Sequence, residues 1–93
     1  MITEDFITLD KLCAFYKVKM SFFSDLNEIG LIEILTIERT PCIHQDKIMD
    51  IEKMIRMHYD LNVNIEGIDI VFNLLQKIED LQNELIATKN RLY

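Results

Sequence analysis

The sequence predicts a mainly α-helical domain with a small β wing, closed by one long C-terminal helix. Only two glycines and one proline occur among 93 residues, so few tight turns are available and helix is the expected main state. Hydrophobic residues make up 49% of the chain, which is too apolar for a disordered segment. Apolar positions recur at helical spacing over residues 65–92. We therefore expect one small domain with an extended helical arm.

The chain is predicted to begin with a short strand or an ordered arm over residues 1–7, followed by a first helix. Thr8 is the expected N-cap, because a threonine hydroxyl accepts a hydrogen bond from the free amides of the first turn. Lys11 stands at the third helical position, where a capping box would have glutamate. One face of this helix is apolar and consists of Leu9, Leu12, Cys13 and Tyr16.

A second short helix is predicted after a turn at residues 18–20. Ser21 is its expected N-cap, and Gly30 is its expected C′ residue because glycine takes the left-handed conformation readily. Phe22 and Phe23 are adjacent, so they point in different directions on a helix. We expect one of them in the core and the other partly exposed, or else both in the core. The apolar positions at helical spacing are Phe22, Leu26 and Ile29.

A two-stranded wing and a third helix are predicted next. Residues 31–37 are rich in Ile, Leu and Thr, which is typical of a short strand. Residues 39–41 should break that strand, and Cys42 and Ile43 should return as the second. A third helix is expected from Gln45 or Asp46. Its apolar face consists of Ile48, Ile51, Ile55 and His58, with Met54 beside them.

The last helix is predicted to start after Asn64, a good N-cap, and it carries two apolar edges. The inner edge, which should pack on the domain, consists of Ile65, Ile68, Phe72 and Leu75. The outer edge keeps heptad spacing for about three heptads, the minimum for a coiled coil. It consists of Val71, Leu74, Ile78, Leu81, Leu85, Thr88 and Leu92. We therefore divide the chain into a domain at residues 1–64 and a helix for core packing and dimerisation at residues 65–93.

The charge distribution argues against nucleic acid as a partner. The formal net charge is −6, with 16 acidic and 10 basic side chains, whereas phosphate neutralisation needs Lys and Arg. Residues 21–38 contain Asp25, Glu28, Glu33 and Glu38 but no Lys or Arg. Such a stretch suits a basic protein surface. The alternative is that these carboxylates merely form a solvated face.

No catalytic, metal or cofactor site is predicted. Cys42 and His44 lie two apart, which is not a zinc-site spacing, and no phosphate loop or catalytic triad can be drawn. Cys13 lies in another segment, so no CxxC pair exists. No signal peptide is predicted at residues 1–5, and no apolar run approaches the ~20 residues of a membrane span. We expect a cytoplasmic protein that is not an enzyme.

The order of two helices joined by a tight turn, a wing and two further helices resembles the MerR-like winged helix-turn-helix. The segments that carry this resemblance are ITLDKLCAFYKV at residues 7–18 and FFSDLNEIGLIEI at residues 22–34. The third and fourth helices are more similar to one branch, the chaperone modulator CbpM family. The most specific element is the run Leu-x-Val-Asn-x-x-Gly at residues 61–67, followed by the long Leu/Ile helix.

The resemblance implies partners as well as a fold. Members of the CbpM family bind the J-domain of the DnaJ-like co-chaperone CbpA, block its work with the chaperone DnaK, and pair through the long C-terminal helix. A J-domain carries a basic helix beside its His-Pro-Asp loop, and a carboxylate-lined helix complements it. We therefore expect the partner-binding residues to be Asp25, Glu28 and Glu33 with an apolar anchor, which is Phe22 or else Phe23. The expected dimerisation residues are Val71, Leu74, Ile78, Leu81 and Leu85.

Two other functions are compatible with the sequence. A MerR-like transcriptional regulator would bind DNA as a dimer through the second helix and the wing. A dimerisation or adaptor module would have no relation to chaperones. DNA affinity that falls steeply with salt would identify the regulator, whereas capture of a DnaJ-like protein would identify the modulator.

Overall fold

The computed structural model describes residues 5–92, so the predicted N-terminal arm before Asp5 lies outside the described residues. The elements, in chain order, are β1 (Phe6–Thr8), α1 (Leu9–Tyr16), α2 (Met20–Ile29), β2 (Leu35–Ile37), β3 (Thr40–His44), α3 (Ile48–Ile55) and α4 (Ile65–Leu92). A single 3₁₀ turn at Gln45–Lys47 precedes α3, and a π-helical turn at Arg56–Asp60 follows it. The predicted class, mainly helical with a small sheet and a long last helix, is confirmed.

The first two helices form the predicted helix-turn-helix with one boundary corrected. The N–H of Lys11 donates to Thr8 Oγ1 at 3.3 Å, which confirms Thr8 as the cap of α1. The prediction that Ser21 caps α2 is wrong, because Lys19 occupies the N-cap position. The backbone hydrogen bonds of α2 start before Ser21, since the Phe22 N–H donates to the Lys19 carbonyl at 3.1 Å. Gly30 ends α2 at φ 90°, as predicted.

The sheet has three strands: the two predicted for the wing and a strand from the N-terminal segment, which was one of two alternatives predicted there. The antiparallel sheet has the order β1-β3-β2, with Ile7 opposite Ile43 and Thr36 opposite Pro41. The N-terminal segment supplies the extra strand. The chain reverses at Glu38 and Arg39, which have φ of 51° and 64°, so the predicted break at residues 39–41 is placed too late. Thr40 and Pro41 already belong to β3.

One core joins the two N-terminal helices, the sheet, α3 and the start of α4. Its fully buried side chains include Phe23, Leu26, Ile43, Ile51 and Ile68. The first part of the predicted inner edge of α4 is confirmed: Ile68 is buried, and Ile65 and Phe72 pack against the core. Leu75 was predicted on the same edge but is 48% exposed. The packed part of the inner edge therefore ends at Phe72.

The connection between α3 and α4 is irregular but well bonded. The Val63 N–H donates to the Met57 carbonyl at 2.9 Å, and Asn62 takes φ 57°. The Gly67 N–H donates to Asn64 Oδ1 at 2.7 Å, which confirms Asn64 as the cap of α4. A Cβ on Gly67 would lie only 2.8 Å from Val63 Cγ1. The small residue therefore lets the capped turn close against Val63.

Candidate partner-binding surface

Helix α2 presents an acidic face to solvent. Its apolar side chains Phe22, Phe23 and Leu26 are buried, which fixes the rotation of the helix on the domain. The rotation leaves Asp25 and Glu28 exposed. No Lys or Arg occurs within α2, so nothing on the helix itself offsets the two carboxylates.

Asp25 and Glu28 line an open cavity of about 490 Å³ between α2 and the start of α4, which we call the acidic cavity. Its other lining residues are Ile29, Ile65 and Glu66. Residues three and four apart share a helix face, so Asp25, Glu28 and Ile29 point together. The Asn64 cap and the close approach at Gly67 set the first turn of α4 against them. The lining therefore consists of three carboxylates and two isoleucines.

Glu33 is exposed but does not line the acidic cavity. It lies in the loop between α2 and β2. The N–H of the next residue, Ile34, donates to Asn27 Oδ1 at 2.9 Å, and this bond holds the loop beside the end of α2. Glu33 thus extends the negative surface without belonging to the cavity.

Phe22 does not provide the exposed anchor that the sequence predicted. It is 4% exposed, and the alternative that both phenylalanines are buried is the correct one. The Phe22 ring centroid lies 5.8 Å from that of Phe23, 5.0 Å from that of His58 and 5.4 Å from that of Tyr59. The aromatic ring that reaches the surface here is that of Tyr59, which is 46% exposed.

The sequence reasoning missed Glu66, Ile65 and Tyr59 as surface partners of α2. Glu66 carried a usable signal, because it is an acidic residue in the first turn of α4, two positions after the Asn64 cap. Tyr59 carried none, since the π-helical turn that places it does not follow the helical spacing of α3. The contacts between distant segments are tertiary, so periodicity along one helix does not reveal them.

The outer edge of α4 lies open along most of its length. Leu74, Ile78, Leu81 and Leu85 are 53%, 51%, 63% and 56% exposed, whereas Val71 is half-buried near the domain. A helix of 28 residues is about 42 Å long at 1.5 Å per residue. Its second half therefore projects beyond the core as an apolar arm.

Both cysteines carry free thiols, in positions that are partly or fully buried. Cys42 is fully buried, with Sγ 3.5 Å from the Leu35 carbonyl. Burial, and secondly the carboxylate of Asp10, raise the pKa of the Cys13 thiol. Among residues 5–92, no group of three or more His, Cys, Asp and Glu side chains is placed to hold a metal ion. No helix in this part of the chain has the length and apolar character needed to cross a membrane.

One protein family matches this architecture at the level of sequence. Its sequence profile, described as MerR HTH family regulatory protein, matches residues 7–90. The match runs from β1 to the last turns of α4, so it includes the helix-turn-helix, the sheet and the arm. Comparison with curated proteins and with solved structures found no match.

Proposed function

The chain belongs to the family of MerR HTH regulatory proteins, and we propose that it is a chaperone modulator of the CbpM branch. In this proposal it binds the J-domain of a DnaJ-like or CbpA-like co-chaperone and blocks the interaction of that J-domain with DnaK. It acts by occupying a surface, and it catalyses no reaction.

The observation that carries the proposal is the sign of the charge on α2. In a helix-turn-helix regulator the second helix lies in the major groove and contacts phosphates and bases. Here that helix offers Asp25 and Glu28, no basic residue, and a neighbouring Glu66. Most of the non-specific affinity for DNA comes from Lys and Arg side chains that neutralise phosphates. A face with carboxylates in their place would repel a duplex. Helix α2 occupies the position of a DNA-recognition helix, but its negative charge favours a basic protein surface as its partner.

A basic helix complements the acidic cavity. Its Lys and Arg heads would meet the three carboxylates, while their aliphatic stems and an apolar side chain would cover Ile29 and Ile65. Exposed ion pairs contribute only about 0–1 kcal/mol each. We therefore assign selectivity and fast association to the carboxylates, and much of the affinity to the apolar contacts between them.

The same proposal includes a homodimer through the arm of α4. Four large apolar side chains on one heptad edge are about half exposed or more, and full burial of each such side chain contributes about 1.5–3 kcal/mol. A second copy of the chain carries the same apolar edge, so the two edges can bury each other in a symmetric dimer. The arm lies beyond the acidic cavity along α4, so both surfaces can be occupied together.

A double charge reversal tests the proposed site. Asp25→Lys with Glu28→Lys should weaken binding to the J-domain of a DnaJ-like protein at least tenfold in a calorimetric titration. The matched control is Asp10→Lys with Asp46→Lys, which changes the net charge equally on α1 and in the 3₁₀ turn. Equal affinities for the two double variants would refute the assignment of the site.

The second candidate function is a transcriptional regulator that binds DNA, and the observation in its favour is the family match itself. A regulator would shift duplex DNA in a gel, with an affinity that falls steeply as salt rises. Asp25→Lys with Glu28→Lys would then strengthen the shift. J-domain binding by the wild-type protein without a DNA shift would identify the modulator.

A further inference from the structure

A second, smaller cleft adjoins the acidic cavity, and it is aromatic. This aromatic cleft has a volume of about 280 Å³ and is lined by Lys19, Ser21, Phe22, Asp25, His58, Tyr59 and Ile65. Asp25 and Ile65 also line the acidic cavity. The two depressions therefore form one continuous surface that runs across α2.

Three aromatic rings in mutual contact form the wall of the cleft. The ring centroid of His58 lies 5.0 Å from that of Phe22 with a tilt of 31°, and Tyr59 meets both rings edge to face, at 5.4 and 4.9 Å. Phe22 is held in the core, whereas Tyr59 is 46% exposed. The cleft thus combines a buried ring with an accessible one.

The backbone around these rings is fixed in an unusual conformation. His58 Nδ1 lies 2.9 Å from the Val63 carbonyl oxygen, and because a carbonyl only accepts, Nδ1 is the donor in that bond. His58 and Tyr59 both belong to the π-helical turn, a conformation that is rare and occurs often at functional sites. Two rings are therefore set in place before any partner arrives, which lowers the entropy lost on binding.

We infer that the aromatic cleft receives an arginine side chain from the basic partner. The identity of that partner rests on the proposed function. Arginine stacks on aromatic faces and forms paired hydrogen bonds to a carboxylate. The cleft offers both, because the exposed ring of Tyr59 and the carboxylate of Asp25 line it together. The chain's net charge of −6 and the adjoining acidic cavity attract the same cation.

Lys19 sets the direction in which the cation enters. It is exposed, it stands at the N-cap of α2 six residues before Asp25, and it lines the same cleft. The N-terminus of the helix adds partial positive charge there. An arginine head is therefore repelled from Lys19 and settles toward Asp25. Removal of the lysine charge should consequently strengthen binding.

Substitutions at Tyr59 and Lys19 test this inference with the J-domain as ligand. Tyr59→Leu keeps an apolar side chain but removes the ring, and it should weaken binding roughly three- to thirty-fold, the range expected for a cation–π contact. Tyr59→Phe is the matched control and should stay within about twofold of wild type, because the ring is retained. Lys19→Met should bind more tightly than wild type. Equal affinities for the Leu and Phe variants would overturn the inference while leaving the proposed function intact.

A second measurement is independent of the J-domain. The full-length protein is titrated with acetyl-arginine amide, and the ring resonances of Tyr59 and His58 are followed by NMR. Acetyl-citrulline amide, which has nearly the same shape and no charge, is the control. Saturable shifts with the arginine probe alone support the cleft as an arginine site. No shift, or the same shift with both probes, contradicts it. If the wild-type protein binds no J-domain, the proposed function fails and this titration still decides the chemistry of the cleft.

Discussion

The substitution Ile78→Asp should convert a dimer into a monomer without unfolding the domain. Ile78 lies on the outer edge of α4 and is 51% exposed in the isolated chain, so about half of its surface remains to be covered on pairing. Full burial of an isoleucine contributes about 1.5–3 kcal/mol, which gives about 1 kcal/mol for each copy. The introduced carboxylate adds a desolvation cost of several kcal/mol for each copy in an apolar seam. The dimer should weaken at least about a thousandfold, which corresponds to about 4 kcal/mol.

Light scattering on a sizing column measures this effect directly. The wild-type protein should elute at twice the chain mass of 11.0 kDa, and the Ile78→Asp protein at the chain mass itself. Asn83→Asp is the control, because it adds the same charge to the flank of the arm and should leave the dimer intact. Circular dichroism should show a folded protein in every case. A dimeric Ile78→Asp protein, or a wild-type protein that stays monomeric at high concentration, would refute the outer edge as an interface.

Asn64→Ala removes the cap on α4 and should lower the free energy of unfolding by about 1 kcal/mol, which lowers the melting temperature by about 4–8 °C. Asn64→Asp keeps a capping side chain and should melt close to wild type. Equal melting temperatures for all three proteins would contradict a stabilising cap at Asn64. Glu66→Lys should weaken binding to the J-domain, measured by calorimetry, because the Glu66 side chain lines the acidic cavity although it lies outside the helix-turn-helix. An unchanged affinity would show that α4 does not belong to the site. The raised pKa of the Cys13 thiol leaves less thiolate at mildly alkaline pH. Iodoacetamide should therefore modify Cys13 more slowly in the folded than in the unfolded protein, and Asp10→Asn should speed the reaction of the folded protein. Equal rates in the folded and unfolded protein would contradict a pKa raised by burial.

Local signals were sufficient to predict most of the helical framework. Thr8, Gly30 and Asn64 each act through their own side chain or backbone freedom, so their roles were visible in the sequence. An N-terminal strand was one of two alternatives predicted for residues 1–7, but its pairing was not predictable from the same signals. Phe6–Thr8 pairs with Thr40–His44, and a pairing between segments more than thirty residues apart leaves no trace in local periodicity. The start of α2 was misplaced because a favourable N-cap residue, Ser21, was given more weight than the turn before it.

The candidate site was predictable in its charge but not in its shape. The absence of Lys and Arg from residues 21–38 favoured a protein partner and drew attention to Asp25 and Glu28, which are exposed and line one cavity in the structure. The identity of the exposed aromatic ring was wrong: adjacency on a helix shows that Phe22 and Phe23 diverge, but the domain covers both. The ring at the surface comes from Tyr59, which a π-helical turn brings over α2. That arrangement depends on packing between α2 and the segment after α3.

In the proposed function, this chain occupies a J-domain and so prevents its use by DnaK. The most direct test follows the ATPase rate of DnaK, stimulated by a DnaJ-like co-chaperone, while the protein is added in increasing amounts. We predict that the stimulation falls toward the basal rate as one chain is added per J-domain, and that Asp25→Lys with Glu28→Lys abolishes this inhibition. Full stimulation of DnaK in the presence of excess wild-type protein would contradict the claim.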